Sequence, residues 1–268
     1  MIKDFAEELL ALGGEVACVV WPLSTPEPLY TLHASQRFPA ASLAKLPILL
    51  TVARQVAQGK LAWETRYEVP AAMRVTSDGV LTDLSPELRP TLSDLAYLMI
   101  TISDNTASNI LLDLAGMEHI NAFMQELGLH VTRLERRFMD FTARQQGRDN
   151  WTNAEEMARI LAYLCSETAP ERERLLSILL RQNDYTILPS SWSEEVPFAH
   201  KTGGLVGVMH DAGILYPPLA PELQQAAGKE PVPGKAPLIL VALTANQADT
   251  PRTRYTLSRL GKLIYENY

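Results

Sequence analysis

Ser42-Leu-Ala-Lys45 places an amine three residues after a hydroxyl. On a helix that spacing puts both side chains on one face, one turn apart. A lysine partly stripped of water there loses preference for its charged form and can accept the serine proton, leaving a nucleophile. A serine at a helix start also meets the positive end of the helix dipole, which favours developing negative charge. Two further polar groups stand out. Ser103-Asp104-Asn105 reads by itself as a helix-capping cluster, and Lys201-Thr202-Gly203-Gly204 as a strand entering a glycine bulge. From the composition, all three together are expected roughly twice in ten thousand such chains, so their coincidence is the signal.

These residues need elements to hold them. At about 150 residues per domain, 268 residues amount to roughly 1.8 domains. Apolar residues make up 47% and charged residues 21%, which are the proportions of a folded globular chain. The net charge of −7 argues against a nucleic acid or an anionic membrane as the main partner. Only seven lysines are present, at 3, 45, 60, 201, 229, 235 and 262, and two of them fall in the motifs. Cys18 and Cys165 exclude a disulfide scaffold and read as two buried thiols. No apolar run reaches 18 residues, and the start lacks the basic and apolar regions of a signal peptide. A complete chain would therefore be cytoplasmic; one whose leader was removed would be periplasmic or secreted. A monomer is expected.

Apolar spacing predicts a helix over 2–12, then strands over 15–21 and 29–34. From about 42 to 195 the pattern is almost wholly helical, with stripes near 42–58, 91–100, 104–114, 118–127, 153–165 and 171–182. Strands return at 198–205, 211–216 and 238–244, and a last helix runs over 250–268. Strands at both ends of a chain must pair with each other, since two alone are barely stable. The expected class is α+β: a five-stranded antiparallel sheet flanked by the terminal helices, with an all-helical insert. Residues 1–44 and 196–268 would form the discontinuous sheet domain, and 45–195 the helical one. The segment 217–237, with six Pro and two Gly, reads as an exposed loop.

Ser-x-x-Lys, Ser-Asp-Asn and Lys-Thr-Gly in this order resemble the class A β-lactamases and penicillin-binding proteins. The separations, 61 residues from Ser42 to Ser103 and 98 from Ser103 to Lys201, are close to the class A pattern. So are the runs Ser103–Leu112 and Val131–Arg136, and the likeness covers nearly the whole chain. It implies a β-lactamase-like fold and an acyl-enzyme on Ser42, with Lys45 taking the proton. Ser103 would relay a proton to the leaving nitrogen, Asn105 would hold the substrate amide, and Asp104 would be structural. Lys201 and Thr202 would bind the substrate carboxylate. The backbone N–H groups of Ser42 and Gly204 would form the oxyanion hole, where losing one donor typically costs about 10²–10³ in rate.

The chain departs from that pattern in three places. The glutamate that activates the deacylating water falls at Phe138, and the asparagine that shares this water falls at Thr142. An aromatic ring neither takes a proton nor orients a water. General-base assistance is worth about 10²–10⁴, so deacylation should be slowed by that factor unless Glu135 or Asp140 substitutes. His210 stands where many relatives carry an arginine that grips the carboxylate; it reads either as that grip or as a solvent-facing strand residue. The family disulfide would join positions 49 and 96, which are Leu and Ala here. His200 reads as a structural strand residue. Histidines 33, 119 and 130 show no ligand spacing, so neither metal nor cofactor is expected.

The expected substrate is therefore a β-lactam or related acyl compound bearing a carboxylate. Two alternatives remain open. One is an esterase or peptidase of the same fold. The other is a non-catalytic binder of small carboxylates or peptidoglycan fragments, although a mere receptor has no use for the Lys45–Ser103 proton relay.

Overall fold

The computed structural model describes residues 2–76, 78–192, 196–216 and 236–267. Helix α1 (Ile2–Leu10) leads into strands β1 (Glu15–Pro22) and β2 (Tyr30–Leu32). A two-residue strand β3 (Phe38–Pro39) and a 3-10 turn (Ala41–Ala44) precede α2 (Lys45–Ala57). Helices α3 (Leu92–Thr101), α4 (Asn105–Ala115), α5 (Met117–Glu126) and α6 (Phe141–Gln145) follow, then β4 (Trp151–Thr152), α7 (Ala154–Cys165) and α8 (Arg172–Leu179). Strands β5 (Phe198–Leu205), β6 (Val208–Leu215) and β7 (Leu238–Ala245) complete the sheet, and α9 (Thr250–Asn267) ends the chain.

The five-stranded sheet has the order β2-β1-β7-β6-β5, with every neighbouring pair antiparallel, as expected. Side chains alternate across it. Ala17, Val19, Ile239, Val241 and Leu243 face the helical block, while Val16, Cys18, Val20, Leu238 and Leu240 face the terminal helices. Two apolar layers therefore sandwich the sheet. Leu49 and Ala96, at the positions of the family disulfide, are fully buried in the helical layer. Cys18 is buried, which pushes its thiol up to about 12, whereas Cys165 is only half-buried.

Local chemistry explains the helix ends. Thr91 and Asp94 form a reciprocal capping box that starts α3, and Asn153 accepts the Glu156 N–H to start α7. Helix α4 stops at Gly116, whose φ of 81° suits glycine.

Three features differ from the sequence reading. Among the described residues of 58–91 there is no α-helix, only one 3-10 turn at Ala71–Met73. Arg74 holds this stretch by donating to the carbonyls of Leu81, Thr82, Leu84 and Ser85, so a side chain rather than helical N–H groups meets these carbonyls. Strand β6 begins three residues early, because Val206-Gly207 turns the chain tightly and Gly207 takes a φ of 70°. β5 pairs regularly with β6 through Gly203↔His210 and Gly204↔Met209, so no bulge forms. Most of the 217–237 loop, residues 217–235, lies outside the described residues.

Candidate active site

Ser42 lies in the 3-10 turn that leads into α2, rather than in the helix itself. The preceding Ala41 has a φ of 47° and Ser103 one of 60°, so both serines sit beside or at strained backbone. Gly203 on β5 makes the close approach possible. A Cβ there would lie 3.3 Å from both the Ser42 nitrogen and the Ala41 Cβ.

Lys45 is fully buried and points at four oxygens. Its Nζ is 3.0 Å from Ser42 Oγ, 2.8 Å from Ser103 Oγ, 2.8 Å from the Ser103 carbonyl and 2.9 Å from Asn105 Oδ1. Ser103 Oγ lies 2.9 Å from Ser42 Oγ. Two of the four are carbonyl oxygens that can only accept, and two are hydroxyls that can donate. A neutral amine fits this set: two N–H bonds go to the carbonyls, and the lone pair takes a hydroxyl proton. Burial, then the nearby Lys201, drives Lys45 well below the ordinary lysine range, partly offset by Asp78 and Asp104.

Asp104 ties the cluster together. Its Oδ1 accepts the Ala107 N–H at the start of α4, while its Oδ2 accepts those of Val80 and Leu81. Gly79 packs on this carboxylate so closely that a Cβ would fall 2.4 Å from Asp104 Cγ. Lys201, on β5, is also fully buried, and its Nζ donates to the Thr202 carbonyl at 2.9 Å. Burial lowers its pKa to about 8, opposed by the charges of Asp184, Asp211 and Asp78. Thr202 and Gly204 line the cleft.

Phe138 is buried, with its ring centroid 4.8 Å below the Lys45 Nζ. Asn109 holds it there: the Asn109 Nδ2 donates to the Phe138 carbonyl, and its Oδ1 accepts the Phe138 N–H. The loop around it is stiffened by a buried ion pair between Arg136 and Asp149 at 2.7 Å. Both candidate substitute bases have other work. Glu135 pairs with Arg133 at 2.7 Å, and Asp140 caps α6 through the Ala143 N–H. Thr142 is exposed on α6, outside the cleft lining.

His210 corrects the sequence reading on both counts. It is fully buried, neither gripping the cleft nor facing solvent. Its Nε2 lies 2.7 Å from the Pro39 carbonyl, and its Nδ1 accepts the Thr244 N–H, so the ring is neutral with the proton on Nε2. Burial lowers its pKa to about 4. His200 is a buried strand residue as expected, 2.8 Å from Asp211.

The cleft has a volume of about 730 Å³. Its lining includes three charged residues that motif spacing did not reveal, Asp78, Asp184 and Arg254. Burial pushes the Asp184 carboxyl up, but hydrogen bonds from Thr186 and Thr202, with the Arg254 charge, outweigh this and leave it below the usual range. Arg254, from α9, donates to the carbonyl and hydroxyl of Thr186. Asn109 was legible only as part of the Ser103–Leu112 run; its grip on residue 138 is a tertiary contact.

The sequence model described as the beta-lactamase enzyme family matches residues 2–268. The chain belongs to this family. Among β-lactamases, one from Streptomyces fradiae is 32% identical over 204 residues, covering 70% of this chain and 65% of its own. A second, from Streptomyces albus G, is 31% identical over 188 residues, covering 66% of this chain and 54% of its own. The chain thus spans between about half and two thirds of these relatives' length. An ancestral class A β-lactamase superposes with a TM-score of 0.85 at 25% identity, covering 99% of both chains. The β-lactamase fold anticipated from the three motifs is therefore the fold of this chain.

Proposed function

We propose that this β-lactamase-family protein is a serine hydrolase that opens β-lactams or related acyl substrates through an acyl-enzyme on Ser42. The carrying observation is the Lys45 environment, a buried amine with two obligate acceptors and two hydroxyls within 3.0 Å. Ser42 Oγ attacks the carbonyl carbon while its proton passes to the neutral Lys45. The negative charge on the carbonyl oxygen is met by the N–H groups of Ser42 and Gly204. When the C–N bond breaks, a proton travels from Lys45 through Ser103 to the leaving nitrogen. Asn105 holds the substrate amide, and Lys201 with Thr202 holds its carboxylate. The substrate lies between the sheet portion (1–44 and 196–268) and the helical portion (45–195).

Hydrolysis of the ester on Ser42 then requires an activated water. Phe138 supplies no base, and its ring covers one side of Lys45, so deacylation is slow and the acyl-enzyme persists. Exposure to a penicillin should give a mass adduct on Ser42 that is lost in Ser42→Ala. Absence of an adduct with every β-lactam and activated ester tried would refute the nucleophile assignment. A set of p-nitrophenyl esters run beside a chromogenic cephalosporin separates β-lactam from ester or peptide substrates.

A further inference from the structure

Acidic and basic side chains both line the cleft. Thr202, Asp184 and Arg254 surround the end assigned to the substrate carboxylate, beside Lys201. The carbonyl of Asp78 accepts the Asn105 backbone N–H at 3.2 Å, so Asp78 adjoins the residue assigned to the substrate amide. The Asp78 side chain is exposed and lines the cleft, and its charge reaches both Lys45 and Lys201. Its position is built. The Val80 and Leu81 N–H groups bind Asp104, and Gly79 has a φ of 118° that side-chain-bearing residues rarely adopt. The loop that presents Asp78 is thus pinned to the Ser103–Asn105 segment at three backbone points.

We propose that Asp78 makes the cleft selective for substrates carrying a cationic group on the acyl arm, next to the amide held by Asn105. The preferred substrate is then a zwitterion, with its carboxylate at the Lys201–Thr202 end and an ammonium at the Asp78 end. An acyl arm with a free amine, as on an amino-acid or peptide fragment, has this form. The inference rests on the acylation reading above. A carboxylate about 6 Å from a unit charge across water changes a rate about threefold, so the effect is graded rather than absolute.

Three penicillins that differ at one carbon of the acyl arm test it: ampicillin with an ammonium, benzylpenicillin with hydrogen, and carbenicillin with a carboxylate. At pH 6.5 the ampicillin amine is charged. Acylation rates at Ser42, read by intact mass, should fall about threefold at each step from ampicillin to benzylpenicillin to carbenicillin. Asp78→Asn should flatten the series, and Asp78→Lys should reverse it. Equal rates in the wild type, or the same order surviving in Asp78→Asn, would overturn the assignment. Absence of an adduct with all three would instead refute the acylation reading itself.

Discussion

Phe138→Glu restores a carboxylate where the resemblance expects one, and its effects can be worked out from the distances. A positioned general base is worth about 10²–10⁴, or about 2.7–5.5 kcal/mol of barrier. Deacylation of the Ser42 adduct should accelerate within that range. The new carboxylate would also replace a ring 4.8 Å from the Lys45 Nζ. At that separation, with an effective dielectric near 20, the pair attracts by about 3.5 kcal/mol, or about 2.5 pKa units in favour of charged Lys45. Desolvating the carboxylate in a buried position subtracts from this. Acylation should therefore slow at neutral pH and recover at higher pH, while deacylation quickens. Intact mass sampled through a penicillin exposure and a later chase reports both steps. Thr142→Asn, on the exposed face of α6, should add little by itself. If folded Phe138→Glu acylates but loses its adduct at the wild-type rate, the aromatic ring is not what limits turnover.

Further outcomes follow from particular contacts. Lys201, lowered to about 8, carries its charge below that pH and loses it above. Acylation by a penicillin should fall above about pH 8, whereas acylation by a neutral ester should not; identical alkaline limbs would count against a carboxylate-binding Lys201. His210 stays neutral in the fold until about pH 4, while in the unfolded chain it takes up a proton near 6.5. Stability should therefore drop as pH falls from 6.5 to 4, with His210 contributing about 3 kcal/mol. Urea titrations of His210→Gln should show a flatter dependence over this range. Gly261→Ala in α9 would place a Cβ 1.9 Å from the Leu188 carbonyl oxygen. Its denaturation midpoint should fall, although the same change on an exposed helix face raises stability by about 1 kcal/mol.

The motifs were legible because their chemistry is local: three residues set Ser42 against Lys45, and the Ser103–Asn105 cluster opens α4. The sheet was legible because β1 and β7 alternate between two apolar layers. What the sequence hid depends on contacts between distant segments. His210 is buried because β6 lies between β5 and β7, with Phe38 packed edge-on against its ring. Nothing in its neighbours along the chain records that burial. The absence of helix among the described residues of 58–91 reflects the Asp104 tether from a distant segment, together with the Arg74 clamp inside the stretch. Phe138 could be placed by aligning the loop, but its stacking under Lys45 and its lock by Asn109 appear only in three dimensions. Arg254 reaches the cleft from the last helix, more than fifty residues after the Lys201 motif, so spacing could not connect them.

The proposed acyl-enzyme forms on Ser42 and outlives its formation because no base serves the deacylating water. Time-resolved intact mass with benzylpenicillin measures both halves. A single adduct of the penicillin's mass, located on Ser42, should accumulate and decay far more slowly than it forms. A protein that stays unmodified while benzylpenicillin persists would contradict the nucleophile, and rapid turnover without accumulation would contradict the role of Phe138.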